Sequence, residues 1–399
     1  AALAITFVTI AVPVQLTGNW VTLIWTAEAA LLFWIGRTKQ LAIYENLAYP
    51  LMVLASLSLL NDWQNALYNQ AITTPIYNRN FLTTILFAAA FGFMTFVNRD
   101  EKYESSVKEI GLIVNFAVAT IFLFVLYNAF RTEIGVYYQG QTANSAVEII
   151  SISEFNAPLF REDGNLQIFN IIWQINYSML FFTLLSFVNI KKIKSATLGF
   201  INLGLNALVL FVFLTAGLYL LNELRTNYFA PVDAQVFPPG IFHILIRYVA
   251  FGFVAALIYA SYKYIKQEFL HRSIAESALD LIFDCAFYVS ILWIASSELI
   301  NWMDVFGYRD SYKLGLSIFW GIYALLLIGL GIFQRKTHLR VGAIGLFALT
   351  LAKLFFYDIA DLDTISKTVV FVSLGVLLLI ISFLYNKYKD LIFEKDAER

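Results

Sequence analysis

One stretch of the chain decides its fold class. Residues 196–222 read Ala196-Thr-Leu-Gly-Phe-Ile-Asn-Leu-Gly-Leu-Asn-Ala-Leu-Val-Leu-Phe-Val-Phe-Leu-Thr-Ala-Gly-Leu-Tyr-Leu-Leu-Asn222 and contain no charged side chain. About 20 mostly apolar residues in an α-helix cross the hydrocarbon core of a bilayer. A soluble helix of this length would carry a polar face toward water. The stretch therefore predicts a membrane-spanning helix.

The rest of the chain has the same character. Of its 399 residues, 60% are hydrophobic and 14% are charged, whereas a soluble domain carries about 25% charged residues. So few charges cannot cover a surface that faces water. The sequence predicts an all-α, polytopic transmembrane helix bundle of about 12 spans, near residues 1–16, 19–36, 41–61, 81–98, 110–130, 168–190, 196–222, 242–264, 278–300, 314–333, 341–357 and 368–386.

Basic residues orient these spans. Lys and Arg cluster in every second connection and at the C-terminus, in residues 37–39, 99–108, 191–194, 263–272, 335–340 and 387–399. The opposite connections are poor in Lys and Arg but contain acids such as Asp62, Glu133 and Asp304. Because basic connections stay on the cytoplasmic side, we expect both termini of this chain in the cytoplasm.

An internal repeat organises the spans. Trp25, Trp173 and Trp320 occur at nearly equal intervals, and each is followed by a basic turn, a second apolar helix and a third helix that contains glycine. Any two Leu/Phe-rich helices resemble each other, but the constant order of these features favours a true repeat. An even number of spans gives every copy the same orientation, unlike an inverted repeat. We predict three parallel four-helix repeats, 1–102, 103–270 with an outer loop at 131–166, and 271–390, followed by a cytoplasmic tail at 391–399.

The last ninety residues resemble a known family. The similar stretches are Leu316-Ser-Ile-Phe-Trp-Gly-Ile-Tyr-Ala324, Arg340-Val-Gly-Ala-Ile-Gly-Leu-Phe-Ala-Leu-Thr-Leu-Ala-Lys-Leu-Phe-Phe-Tyr-Asp358 and Val370-Phe-Val-Ser-Leu-Gly-Val376. They are similar to the C-terminal region of a family of predicted bacterial membrane proteins known as domain of unknown function 2339. Members of that family have many spans, and the resemblance implies that this chain is the C-terminal part of such a protein. The resemblance implies a fold class and a multi-pass protein of the bacterial inner (cytoplasmic) membrane, and it implies no activity.

Ionisable residues within spans are costly and often functional. Glu28 lies in the middle of its predicted span, and its repeat equivalents Asn176 and Tyr323 are also polar. This polar face predicts a cavity lining or a proton site. The alternative is that these side chains form hydrogen bonds that join helices.

A second set of polar residues is predicted near the outer ends of later spans. Arg247, Glu298, Lys353 and Asp358 form this set, with His243 beside Arg247. Together they could bind an anionic headgroup or a sugar. Alternatively, Lys353 extends outward to the headgroups, as lysines near helix ends commonly do.

Several site classes are not indicated. The three histidines and single cysteine, Cys285, are far apart, so we predict no metal site and no cofactor. Asp280 and Asp284, four residues apart, share a helix face and could take a cation or a proton, but carboxylates near the membrane interface are more often simply solvated. No P-loop, dinucleotide-binding, zinc-protease or serine-hydrolase motif occurs. A net charge of −1 gives no indication of nucleic-acid binding.

Three functions remain open. The first is transport or flipping of a small or lipid-linked cell-envelope substrate. The second is a structural or scaffold subunit of an envelope complex. The third is a membrane-embedded transferase that acts at the outer leaflet through Asp358, Asp361 and Glu298. We favour a non-enzymatic function, with membrane lipids and envelope proteins as partners, and the sequence leaves the oligomeric state open.

Overall fold

The architecture is almost entirely helical. The structure, a computed structural model, describes residues 2–69, 73–99, 103, 108–149, 159–231, 235–271, 276–308, 312–354 and 364–393. The elements are α1 (Ala2–Gln15), α2 (Asn19–Lys39), α3 (Ala42–Asn69), α4 (Arg79–Arg99), α5 (Lys108–Asn144), β1 (Val147–Ile149), β2 (Leu159–Arg161), α6 (Gly164–Val188), α7 (Ala196–Val212), α8 (Leu218–Phe229), α9 (Phe242–Ile265), α10 (Glu268–His271), α11 (Glu276–Val305), α12 (Tyr312–Phe333), α13 (Thr337–Lys353) and α14 (Thr364–Phe393). A π-helical turn follows α6 at Asn189–Ile193, and another joins α7 to α8 at Phe213–Gly217.

Membrane-spanning length is reached repeatedly. Within the described residues, eight helical stretches are long and apolar enough to cross a membrane: Ala42–Tyr68, Arg79–Arg99, Ile113–Asn144, Gly164–Ile193, Ala196–Phe229, Phe242–Ile265, Glu276–Val305 and Gly315–Phe333. Helices also occupy the described parts of the other predicted spans. Of these, α1 and α13 have 14 and 17 residues, fewer than the roughly 20 that a bilayer core requires. The total of twelve spans remains a prediction.

The helices direct large apolar side chains outward as well as inward. Phe211 of α7 is 62% exposed, and Leu208 and Trp293 are also more than one-third exposed. A soluble bundle would turn such side chains toward its core and place charges outside. Here hydrocarbon is the solvent that matches the outer surface, since every backbone polar group is already satisfied within a helix. The structure thus supports a polytopic helix bundle.

The chain forms two compact units, Ala1–Phe181 with Gln235–Phe237, and Phe182–Ala234 with Pro238–Arg399. In the first unit α2 packs on α3 and α4, and α4 packs on α5. Its core includes Phe33, Ala55, Phe91 and Val118, all buried. Small residues of α3 and aromatic rings of α4 belong to this core, and on each helix the buried residues lie three or four apart, on one face.

The second compact unit has a different set of helix pairs. Here α12 packs on α13 and α14, while α9 packs on α7, α8 and α11. Tyr264 and Leu279 belong to one buried cluster, and Tyr323 and Ala343 belong to another. The two units are defined by packing contacts, whereas the predicted threefold repeat is a similarity between segments of the sequence. The units therefore do not test the repeat.

The connection between α5 and α6 is shorter than the outer loop predicted at 131–166. Helix α5 continues to Asn144, and Val147–Ile149 pairs antiparallel with Leu159–Arg161. The polar residues after 130 suggested a loop. They continue the helix because Glu133, only 8% exposed, is anchored there by hydrogen bonds from Asn78 Nδ2 and the backbone N–H of Ile76.

Glycine permits the closest approach between helices at two basic turns. A Cβ on Gly36 would lie 2.8 Å from the backbone nitrogen of Glu45, and a Cβ on Gly331 would lie 2.7 Å from Cγ of Arg340. Gly92 meets the ring of Phe122 in a similar way. In contrast, a Cβ on Gly252 or Gly375 would meet no described atom within 4 Å. Gly92, Gly252 and Gly375 are the glycines of the third helix in each predicted repeat, and of the three only Gly92 is a close-packing point between described helices.

Replacing Gly36 by alanine should destabilise the protein. The added methyl group would collide with backbone atoms of α3, which cannot rotate away, and overpacking of this kind costs about 1–3 kcal/mol. Gly252→Ala is the matched control, since it adds a methyl group in open space and alanine is the better helix former by roughly 1 kcal/mol. Thermal unfolding of both variants in detergent measures the difference. Equal melting temperatures for Gly36→Ala and Gly252→Ala would contradict the packing argument.

Candidate functional site

A buried arginine lies at the centre of the most elaborate polar site. Arg247, on the second turn of α9, is 2% exposed. Its Nε donates to Glu298 Oε2 at 2.7 Å, its Nη2 donates to Ser297 Oγ at 2.6 Å, and its Nη1 donates to Asn222 Oδ1 at 3.0 Å. The guanidinium also lies 5.7 Å from the centre of the Phe251 ring. One cation thus joins α8, α9 and α11.

The carboxylate of this pair is less enclosed than the arginine. Glu298 is 21% exposed. Its second oxygen accepts hydrogen bonds from the Tyr248 hydroxyl at 2.9 Å and from Asn301 Nδ2 at 3.2 Å. Tyr248 itself is exposed on the surface of α9. Within the ion pair, Arg247 is therefore buried, whereas Glu298 is accessible from the surface. We call Arg247, Glu298, Ser297, Asn222 and Tyr248 the arginine centre.

The physical cost of this arrangement is high. The free-energy cost of removing two charges from water is offset only if the ions pair closely and their remaining donors and acceptors are satisfied. Arg247 and Glu298 meet that condition through Asn222, Ser297 and Tyr248. A second ion pair involves α11: Arg225 of α8 pairs with Asp304 of α11 at 2.6 Å. Two ion pairs thus connect α11 to its neighbours near one end.

The predicted outer cluster is partly assembled. Arg247 and Glu298 meet, as the sequence suggested. Lys353 instead donates to the Lys313 carbonyl at 3.1 Å and to Ser317 Oγ at 2.8 Å, and makes no ion pair with Glu298. The ring of His243 hydrogen bonds to the Gly240 carbonyl at 2.9 Å. Asp358 and Asp361 lie outside the described residues.

The polar face shared by the repeat equivalents forms contacts between helices. Glu28 accepts a hydrogen bond from Thr9 Oγ1 of α1 at 3.0 Å, and the Tyr323 hydroxyl donates to the Tyr288 carbonyl of α11 at 2.8 Å. Glu28 and Tyr323 thus each hydrogen bond to the helix that precedes their own. Asn176 is fully buried, and its side-chain atoms have no hydrogen-bond partner among the described residues. The contacts of Glu28 and Tyr323 match the alternative of helix-joining hydrogen bonds.

A buried ion pair closes the turn between α2 and α3. Arg37 and Glu45 are 2% and 0% exposed, with 2.9 Å between Nε and Oε1. Arg37 Nη1 also donates to the Tyr103 carbonyl at 2.9 Å, and the Tyr49 hydroxyl donates to Glu45 at 2.6 Å. The sequence analysis counted Arg37 only as a charge that sets orientation. Its burial depends on Gly36, which admits the backbone of Glu45.

Asp280 and Asp284 do not share a ligand. Asp284 is buried and pairs with Lys336 at 2.5 Å and with His338 at 2.8 Å. Asp280 pairs with Lys266 at 2.8 Å, and this hydrogen bond raises the pKa of Lys266. The two carboxylates therefore face different basic partners instead of sharing a cation or a proton. Among the described residues, no three His, Cys, Asp or Glu side chains come together.

An uncharged cluster joins α6, α7 and α9. The four-residue spacing of Asn202 and Asn206 predicts that both hydrogen bond to a neighbouring helix, and they do. Asn202 and Asn206 both donate to Ser186 Oγ, at 2.7 and 3.2 Å. Asn206 also donates to Ser261 Oγ at 3.0 Å. We call Ser186, Asn202, Asn206 and Ser261 the asparagine cluster. The spacing of the two asparagines indicated a common helix face, but nothing local indicated that Ser186 and Ser261 would meet it.

Long apolar helices, outward-facing hydrocarbon side chains and interior ion pairs define a polytopic helical membrane protein. The chain belongs to the family described as predicted membrane protein (DUF2339), which matches it over residues 1–388. The resemblance first found in the last ninety residues thus extends through nearly the whole chain. No curated protein and no solved structure shows significant similarity to it.

The buried pair at the first basic turn should matter far more than a surface pair. Glu45→Ala leaves Arg37 buried without its carboxylate, which typically costs about 3–5 kcal/mol. Glu276→Ala is the control. Glu276 is 54% exposed where it pairs with Lys266, and pairs at such positions contribute roughly 0–1 kcal/mol. Thermal unfolding in detergent should therefore show a large loss for Glu45→Ala only. Similar losses in both variants would refute the assignment of Arg37 and Glu45 as a buried pair.

Proposed function

We propose that this protein moves or flips a small or lipid-linked anionic substrate of the bacterial cell envelope, and that the arginine centre binds the anion. The observation that carries the proposal is the asymmetry of the ion pair. Arg247 is almost fully buried, whereas Glu298 is partly exposed and bonded to an exposed tyrosine. Arg247 is buried, but an anion can reach it by displacing its partly exposed counter-ion, Glu298. Such a cation is suited to binding an anion reversibly.

The chemistry of arginine supports this role. A guanidinium presents planar, forked donors that match a carboxylate or a phosphate. An incoming anion could replace Glu298 at Arg247. The displaced glutamate would keep two hydrogen bonds, because Tyr248 and Asn301 already donate to its other oxygen. The pair would then have two arrangements, one with Glu298 on Arg247 and one with substrate there. A ligand shifts such an equilibrium through its different affinity for the two states.

The proposed setting is a bundle of about twelve spans in three like-oriented four-helix repeats. Three basic turns support the repeat, since each contains a non-glycine residue with positive φ: Gln40 at 55°, Lys194 at 55° and Arg335 at 56°. Trp25 Nε1 donates to the Thr9 carbonyl, and its equivalent Trp320 donates to Ser296 Oγ. In the proposed first and third repeats, the tryptophan therefore donates a hydrogen bond to the helix that precedes its own.

A scaffold function is the second candidate. It is favoured by the number of interior polar side chains that bond to other helices of the same chain, including Thr22 to Asp62 at 2.6 Å and Trp63 to Thr84 at 3.0 Å. Such bonds rigidify a bundle. The described contacts do not favour the transferase alternative, because the hydrogen-bond partners of Glu298 are the side chains of Arg247, Tyr248 and Asn301.

Anionic lipid flipping tests the proposed function. Proteoliposomes with a fluorescent, head-group-labelled phosphatidylglycerol analogue are treated with dithionite, which quenches only the outer leaflet. We expect the wild type to expose inner-leaflet label as well. Arg247→Ala should reduce the rate by at least about ten-fold, which corresponds to ~1.4 kcal/mol. Glu298→Gln should also change the rate, because it removes the negative charge that competes with the substrate.

The neighbouring ion pair provides the matched control. Asp304→Asn disrupts the Arg225–Asp304 pair on the same helices without touching the arginine centre. Its flipping rate should equal that of the wild type, and size-exclusion chromatography verifies that each variant is folded. Wild-type liposomes that behave like protein-free liposomes would reject flipping of this lipid class. Equal losses in Arg247→Ala and Asp304→Asn would assign Arg247 a structural role.

Cysteine accessibility tests the proposed orientation. In a Cys285→Ser background, single cysteines replace the exposed residues Lys191 and Tyr77. A membrane-impermeant maleimide added to intact spheroplasts should label Tyr77→Cys but should label Lys191→Cys only after lysis. Labelling of both positions before lysis would show that the positive-inside assignment fails here.

A further inference from the structure

A buried arginine at the turn between α12 and α13 lacks an acidic partner in the part of the chain that the structure describes. Arg340, near the start of α13, is 3% exposed. Its Nη2 donates to Thr337 Oγ1 at 2.7 Å, whereas its Nε is buried and has no hydrogen-bond acceptor among these residues. The buried arginines Arg37, Arg225 and Arg247 each pair with an acid. A buried cation is unfavourable unless it is paired, so the surroundings of Arg340 lack an anion.

The turn between α2 and α3 shows which group is missing. A Cβ on Gly36 would lie 2.8 Å from the backbone nitrogen of Glu45. In the same way, a Cβ on Gly331 would lie 3.1 Å from the backbone nitrogen of Arg340. Glu45 and Arg340 thus have the same position in their turns, nine residues after the glycine. The residue directly after the glycine is the basic partner of Glu45 in the first case and Ile332 in the second. The turn between α12 and α13 therefore has a buried cation where the other has a buried anion, and neither position is acidic.

The acid that contacts this turn already binds two other side chains. Asp284 Oδ2 accepts a hydrogen bond from Lys336 Nζ at 2.5 Å and lies 2.8 Å from His338 Nε2. Residues 335–340 contain three Lys and Arg side chains, Arg335, Lys336 and Arg340. Of the described carboxylates, Asp284 alone pairs with any of them. Positive charge therefore exceeds negative charge at this turn.

The start of α13 adds to the positive potential. Lys336, at the N-cap, makes no side-chain cap hydrogen bond, and the first N–H groups of a helix have no acceptor within it. These groups form the positive end of the helix dipole, which disfavours a nearby cation. The hydrogen bond from Arg340 to Thr337 nevertheless holds the guanidinium beside this end, because helical side chains point toward the N-terminus. An anion at this place would bind both the guanidinium and the N–H groups.

We propose that Arg340 and the N-terminus of α13 form a binding site for a phosphate group, supplied by inorganic phosphate or by the headgroup of a phospholipid. We call it the phosphate site. A guanidinium donates to phosphate oxygens through its forked N–H groups, and helix N-termini bind phosphate through backbone N–H groups. A phosphate group has enough oxygens to accept from both at once, whereas a carboxylate has only two.

The exposure of the neighbouring basic residues gives the ligand access to the start of α13. The side chains of Lys336 and His338 are 34% and 25% exposed. The aliphatic part of Arg340 packs on α12 at Gly331, while its guanidinium lies at the first turn of α13. A phosphate group that approaches this helix end therefore meets a partly exposed basic surface, and the cation that binds it is buried.

Phosphate-dependent stability of the full chain in detergent tests the phosphate site. A ligand that binds only the folded state raises the melting temperature with concentration. One arm titrates sodium phosphate against sodium chloride at equal ionic strength and pH. The other arm titrates phosphatidylglycerol against monogalactosyl diacylglycerol, a lipid without phosphate. We expect a saturable increase in the first arm if free phosphate suffices, or in the second arm alone if the ligand is a lipid headgroup. Absence of an increase in both arms overturns the proposal.

Two variants locate the ligand. Arg340→Gln removes the buried charge and should raise the half-saturating ligand concentration by at least about ten-fold. Arg79→Gln is the matched control, because Arg79 also begins a helix but is exposed, and it should retain the wild-type response. Ile332→Glu introduces the missing carboxylate, which should pair with Arg340 and remove the response. An unchanged response in folded Arg340→Gln overturns the site, and Ile332→Glu decides in the same way if Arg340→Gln does not fold.

Arg247→Ala separates the phosphate site from the arginine centre. The two sites share no residue, so the phosphate site does not depend on the proposed anion transport. Arg247→Ala should lose flipping and retain the stabilisation by phosphate or phosphatidylglycerol. The opposite pattern, a response that is lost in Arg247→Ala and kept in Arg340→Gln, would place the bound anion at the arginine centre and would overturn the phosphate site.

Discussion

Hydrocarbon supplies no hydrogen-bond partners, and this constraint shapes every polar feature of the protein. Each polar side chain within a span must find its partner in the chain itself. The simplest solution is local. Thr26 and Ser56 donate to carbonyls four residues earlier in their own helices, as do many other hydroxyls. Ionised groups have no such local solution, so they bring helices together.

The arginines show how far this constraint reaches. Arg37 depends on Glu45, and the approach of α3 that makes the pair possible depends on the absence of a side chain at Gly36. Arg247 draws acceptors from α8 and α11 around a single guanidinium. Each of the three side-chain nitrogens of Arg247 has an acceptor, whereas Arg37 relies on its close carboxylate and on the Tyr103 carbonyl. The difference lies in access, since Glu45 is fully enclosed and Glu298 is not.

The asparagine cluster joins helices without a charge. Asn202 and Asn206 both donate to Ser186 of α6, and Asn206 also donates to Ser261 of α9. Neutral polar groups are less costly to bury than ionised ones when they are hydrogen-bonded, so this cluster needs no counter-ion. The arginine centre differs, because its guanidinium requires a negative partner, which Glu298 provides.

The sequence by itself determined the helices, because membrane-spanning length and apolar composition are properties of contiguous residues. Residues 196–222 predict a helix whatever lies beside them. It also placed Arg247 and Glu298 at a similar depth, since depth follows from position along a span. Only the tertiary structure decided partners, because a partner depends on the rotation of each helix and on which helices are neighbours. For that reason Lys353 bonds to Ser317 rather than to Glu298, and Asp280 and Asp284 take separate basic partners. The asparagine cluster required side chains from three helices, and no local pattern in the chain specifies that meeting.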